Sequence, residues 1–113
     1  MAVIHLLKET LVQDAGDGDH ADGGGLSLRI DGANAKWVFR YTAPSGKRRA
    51  MALGTAVRSG TRRQIQASME SARELAQEAR GLLRRGLDPI ELRNATKAEA
   101  RQKEAAQRAE KRR

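Results

Sequence analysis

Residues 26–42 read LSLRIDGANAKWVFRYT, and the alternation of their side chains decides the architecture. Leu26, Leu28 and Ile30 alternate with Ser27 and Arg29, the period-two signature of a strand with one face on a core and one in water. Asp31-Gly32-Ala33-Asn34-Ala35 is turn chemistry. Lys36 to Thr42 is aromatic and β-branched, with good strand propensity. Ala43-Pro44-Ser45-Gly46 suits a type I turn, with proline at its second position. A third strand is predicted over Lys47 to Leu53, ended by Gly54. Connections this short join antiparallel neighbours, so the three strands form a meander.

Immediately upstream, residues 20–25 read HADGGG. The run is not a dinucleotide-binding GxGxxG, because Leu28 stands where the third glycine belongs. It is not a Walker loop either, which needs Gly-Lys-Ser/Thr opening a helix. Asp14, Asp17, Asp19 and Asp22 look superficially like a calcium loop. Counted from Asp17, however, the bidentate glutamate position falls on Leu28 and the central glycine on Asp22. What remains is a turn that swings the backbone into the first strand, since glycine tolerates positive φ.

After Gly54 the period changes. Met69, Ala72, Leu75, Ala76, Ala79, Leu82 and Leu83 recur at three and four residues, an amphipathic helix. Thr61 and Ser68 both qualify as its N-cap. Glu70, Glu74 and Glu78 precede Arg80, Arg84 and Arg85, in the order the helix dipole favours. Gly86 sits where a left-handed C-cap belongs, with Leu87 able to pack back, and Asp88-Pro89 forbids continuation. From Asn94 to Arg113 the chain is helix-prone but has no apolar stripe, so alone it should fray. Val3 to Val12 suits a short helix or a strand equally.

The 113 residues bound the answer to one domain with a tail. Roughly 70 residues are left to build a core, near the size where only about 60% of the surface is buried on folding. With no cysteine there is neither a disulfide framework nor a thiolate zinc site. No apolar run approaches the ~18 residues of a membrane span, and the first residues lack a signal peptide's basic flank and cleavage site. The expectation is a cytoplasmic protein without membrane contact. Charge is the most informative global property. Residues 1–35 carry six acids and two bases, a net of −4, and residues 36–113 carry twenty bases and eight acids, a net of +12, giving the overall +8. Such asymmetry points to a polyanion, most often nucleic acid.

Alternation sorts the strands into two faces. Leu26, Leu28, Ile30, Trp37, Phe39, Met51 and Leu53 share the side that meets the helix, and Trp37 is expected as a core anchor. Ser27, Arg29, Lys36, Val38, Arg40, Thr42, Arg48, Ala50 and Ala52 share the other, which is basic, small and polar. A twisted sheet of two or three strands fits the DNA major groove, where Arg reads guanine and Lys or Ser positions on phosphate. The DNA-binding candidates are therefore Ser27, Arg29, Lys36, Arg40, Thr42 and Arg48, with Lys47 and Arg49 at the hairpin end on phosphate. No catalytic residue, metal ligand or cofactor is expected. His5 and His20 lie in no acid/base or metal spacing, and Tyr41 lacks the positioned partners a nucleophile needs.

HADGGGLSLRI, KWVFRY, GKRRAMALG and SMESARELAQEARGLLRRGLDP, in this order, resemble the N-terminal arm-binding domain of phage and genomic-island integrases, which are tyrosine recombinases. The similarity covers about residues 20–90, and the tail is similar to the start of the linker. The resemblance implies a small α+β domain whose three-stranded sheet enters the major groove of arm-type sites. It also implies that Ser68 is the helix N-cap and Thr55 to Ala67 an extra loop. The family's catalytic residues lie in a later domain and none maps here.

The expectation is thus α+β: a three-stranded antiparallel sheet against one C-terminal amphipathic helix, then a basic helix-prone linker. Residues 1–19 form an undetermined N-terminal segment, 20–90 the DNA-binding domain, and 91–113 the linker toward a core-binding and catalytic region. The partners expected are double-stranded DNA and, through those further domains, other integrase protomers, with no small-molecule substrate. Two rivals use the same residues: a stand-alone sheet-type DNA-binding regulator, and a protein-interaction domain whose basicity serves solubility.

Overall fold

The computed structural model describes residues 6–111. A short helix, α1 (Glu9–Asp14), leads into β1 (Gly18–Gly23), β2 (Leu26–Asp31), β3 (Asn34–Thr42) and β4 (Arg48–Thr55). Two long helices follow, α2 (Arg62–Arg84) and α3 (Pro89–Lys111). The sheet order is β1-β2-β3-β4, each strand antiparallel to the next. The α+β class and the β2–β3–β4 meander are as expected. The count is not: the sheet has four strands rather than three, and there are two long helices rather than one.

β1 is not legible in the sequence because GDHADG has neither strand propensity nor an apolar alternation. Backbone pairing with β2 holds it, from Gly18↔Ile30 to Gly23↔Leu26. Its one buried side chain is a carboxylate, Asp22. Asp22 accepts the Leu7 amide at 2.9 Å and a bidentate pair from Arg73 on α2. The three glycines do make a turn, but it joins two strands instead of launching the first. Gly25 cannot be replaced there: its φ is +92°, and a Cβ would lie 2.4 Å from the Arg40 carbonyl oxygen. Arg80 braces the turn from α2, donating to the Gly24 carbonyl at 2.9 Å with its guanidinium over the Phe39 ring.

One side of the sheet and the inner face of α2 make the core. Leu26, Leu28, Ile30, Trp37 and Phe39 meet Ile65, Met69, Ala72, Ala76 and Ala79. Ile65 and Met69 fill the first half of the helix face, and Ala72, Ala76 and Ala79 let the second half approach the large sheet side chains closely. Trp37 is buried as expected, and its indole N–H donates to Ser68 Oγ at 3.1 Å. Met51 and Leu53 pack at the margin, while Leu75 from the expected stripe is exposed.

α2 begins at Arg62, well before Ser68. Thr61 is the N-cap and closes a capping box with Gln64: each backbone amide donates to the other's side chain. The T-x-x-Q spacing carries this signal, but the family resemblance favours Ser68. Ser68 instead receives Trp37 and the Val57 amide. Within the segment expected to be a loop, Arg58 donates to the Val12 and Ala15 carbonyls at the end of α1, a cation where a helix terminus favours one. Leu7 and Val12 join the core. Residues 3–5 of the undecided N-terminal segment lie outside the described residues.

The end of α2 lies where expected, although the Leu87 side chain is exposed rather than packed back. Gly86, at φ +76°, and Leu87 donate to the Leu83 and Leu82 carbonyls in a Schellman arrangement. The stretch expected to fray continues as α3 instead. Asp88 caps it through the Ile90 amide at 3.0 Å, Pro89 takes the first helical position, and Ile90 is buried. Nucleation is the costly step in a helix. This anchored first turn supplies it, and the Ala-, Lys-, Arg- and Glu-rich remainder propagates from there with every residue from Asn94 to Glu110 exposed.

Candidate nucleic-acid interface

The face of the sheet turned away from α2 is built by alternation. Register places Arg29 opposite Lys36, Ser27 opposite Val38, Val38 opposite Ala52, Arg40 opposite Ala50 and Thr42 opposite Arg48. Directly opposed side chains stand about 4.5–5.5 Å apart at Cβ, so these residues form one continuous surface. Arg29, Lys36, Arg40, Thr42 and Arg48 are exposed on it and Ser27 is half-buried. Ala50 and Ala52 keep the β4 side low, so long cations on β2 and β3 rise beside a shallow strip. Val38 sits at the centre, 5% exposed yet outside the core cluster. Its neighbours there are Lys36, Arg40, Ser27 and Ala52, and long basic stems shield apolar atoms while their heads stay in water.

Lys47 is exposed beside this surface, in the connection between β3 and β4. Arg49 is elsewhere. It sits on the helix side of β4, its Nη1 2.9 Å from Asp88 Oδ2 and 3.7 Å from Glu91 Oε1. Seven of the eight sequence candidates are thus gathered at one face or its rim, and the eighth belongs to a structural cluster behind it.

Asp88 is the centre of that cluster. Its carboxylate accepts from Tyr41 Oη, Arg49 and the Ile90 amide. Burial pushes the Asp88 carboxyl up, but these hydrogen bonds outweigh it and hold the group below the ordinary carboxylate value. Burial and the bond to Asp88 push the Tyr41 phenol up. The Asp88 hydrogen bond likewise raises Arg49, against desolvation. The sole tyrosine is therefore a neutral structural donor. It ties the β3–β4 hairpin, which carries Arg40, Thr42, Lys47 and Arg48, to the start of α3.

β1 adds what the sequence pattern does not reveal, an acid on the basic face. Asp19 lies opposite Arg29, and its Oδ2 is 2.6 Å from Arg40 Nη2. Asp17 accepts the Gly32 amide at 3.1 Å. With Asp22 held by Arg73, three of the four acids that mimic a calcium loop have protein partners. Among the described residues no group of three or more His, Cys, Asp or Glu could hold a metal, and no helix is long and apolar enough to cross a membrane.

The family described as the Arm DNA-binding domain matches residues 6–96, from the segment before α1 through the first two turns of α3. No curated protein matches the chain. With most of the chain inside that match and a basic sheet face built within it, the protein belongs to the Arm DNA-binding domain family, a non-catalytic DNA-binding module found in phage integrases.

Proposed function

We propose that the outer sheet face enters the major groove of arm-type duplex DNA, and that the chain is the DNA-anchoring module of a site-specific tyrosine recombinase. The observation that carries this reading is the convergence of Arg29, Lys36, Arg40, Thr42 and Arg48 on the sheet face that no helix covers among the described residues. Strands β2 to β4 span about 10 Å between backbones, within a major groove about 12 Å wide. Arg40, on the central of these three strands, is suited to reading a base edge. Lys36, Arg48 and Lys47 are suited to phosphate, with Ser27, Arg29 and Thr42 completing the contact. Arg49, turned to the helix side, has no part in it.

The recombinase assignment is supported by the family match and by the ordered motifs of the strands and α2. In that assignment residues 20–90 carry recognition. The exposed part of α3 leads toward core-binding and catalytic domains, through which other protomers would assemble. An NMR titration with duplex DNA tests the binding mode. Amide shifts are expected along β2, β3 and β4. Shifts confined to α2, with the strands silent, would overturn the sheet-in-groove reading even if binding were tight.

A further inference from the structure

A face made for phosphate has no evident use for a carboxylate, yet β1 sets Asp19 on it, bonded to Arg40 at 2.6 Å. The side chains of Arg40 and Asp19 are 50% and 38% exposed, so the pair stands in the path of anything that docks there. It is not needed to hold β1. The backbone ladder to β2 does that, together with the buried pair of Asp22 and Arg73. An exposed ion pair shifts an equilibrium at most about fivefold.

We propose that Asp19 is a specificity-determining residue: it occupies the Arg40 guanidinium in the free protein and yields it only to an acceptor better than a carboxylate. The inference rests on the outer face being the DNA surface. A single phosphate oxygen offers Arg40 little more than Asp19 already does, so on indifferent sequence the exchange is near break-even, and the carboxylate also repels the backbone. The paired O6 and N7 acceptors of guanine are different. A bidentate contact there discriminates by roughly five- to one-hundredfold, enough to open the pair. Asp19 thus lowers affinity for DNA in general and leaves the right base to restore it.

Binding to an alternating A·T duplex, which offers no guanine, tests this across a range of salt. Asp19→Asn should bind it about three- to tenfold more tightly than the unaltered chain. The slope of log affinity against log salt should steepen by about 0.9, the share of one added phosphate contact. In an Arg40→Ala background the same substitution should gain clearly less, because only the repulsion is relieved there. Unaltered affinity in Asp19→Asn, with the parent chain binding normally, would overturn the role of Asp19 alone. An equal gain in the Arg40→Ala background would overturn it too, because Asp19 would then act as a bare repulsive charge. Parent binding that ignores Lys36→Ala would instead remove the DNA face itself, and this inference with it.

Discussion

Arg73 of α2 sets its Nε and Nη2 against the two carboxylate oxygens of Asp22 on β1, at 2.8 and 2.9 Å. Asp22 is 1% exposed and also accepts the Leu7 amide, while Arg73 reaches the Leu7 carbonyl at 3.0 Å. One ion pair therefore joins the N-terminal segment, the edge strand and the long helix. Removing one partner of a buried pair leaves the other charge uncompensated, at a cost of about 3–5 kcal/mol. Asp22→Ala should lower the denaturation midpoint accordingly, with an unchanged m-value. A loss below about 1 kcal/mol, the range of an exposed pair, would mean that Arg73 finds water instead.

Gly25→Ala should be among the most damaging changes of a single methyl in this chain. Backbone strain at positive φ and the overlap with the Arg40 carbonyl each cost about 1–3 kcal/mol. Gly32 provides the control, with φ +58° and no atom within 4 Å of where a Cβ would stand. Gly32→Ala should cost only the left-handed strain of about 1–2 kcal/mol. Thermal melts of the two variants side by side decide it; equal losses would mean that the β1–β2 turn can move away from β3.

Asp88 and Tyr41 predict opposite ends of the stability–pH curve. Asp88 titrates below its ordinary 3.8 in the folded chain. Its contribution is therefore complete above the unfolded value and is lost as pH falls from there through the folded value. Tyr41 titrates above its ordinary 10.0. Its contribution is complete below pH 10.0 and is lost as pH rises through the folded value. Because the chain has one tyrosine, tyrosinate absorbance reads this group alone. The native midpoint should lie above that of the denatured chain, and Asp88→Asn should lower it. A native midpoint at or below 10.0 would exclude the buried donor.

The two sides of β4 predict different outcomes for neighbouring arginines. Lys36→Ala and Arg48→Ala should each flatten the salt dependence of duplex binding by about 0.9, with little loss of stability. Arg49→Ala should leave that slope unchanged and lower the melting temperature, because its partners are Asp88 and Glu91. A flattened slope in Arg49→Ala would show that this residue leaves Asp88 for DNA.

α3 predicts a gradient in amide exchange. Ile90 is buried and its amide is held by Asp88, whereas Asn94 to Glu110 touch solvent throughout. Helical hydrogen bonds without tertiary cover open with little free energy. Protection should therefore be strong near Ile90 and fall steadily toward Glu110. Uniform protection along α3 would require a packing partner for its outer half.

Local pattern along the chain accounts for the parts of this protein that need only a side chain's preference and its spacing. Alternation from Leu26 to Thr42 places β2 and β3 and sorts Trp37 inward and Lys36 and Arg40 outward. The 3.6-residue period places most of α2, and Gly86 with Asp88-Pro89 marks its end. Whatever depends on a distant partner is settled in three dimensions. β1 is a strand because β2 offers it a backbone edge and Arg73 neutralises Asp22, 51 residues away in the chain. α3 is a helix because its first turn is bolted to Tyr41 and Arg49, while the place of Arg49 on the helix side follows from its alternation with Arg48 and Ala50 along β4. Asp19 reaches that surface only through the pairing of β1. Backbone ladders and buried charge pairs have no period of their own, so no window of sequence contains them.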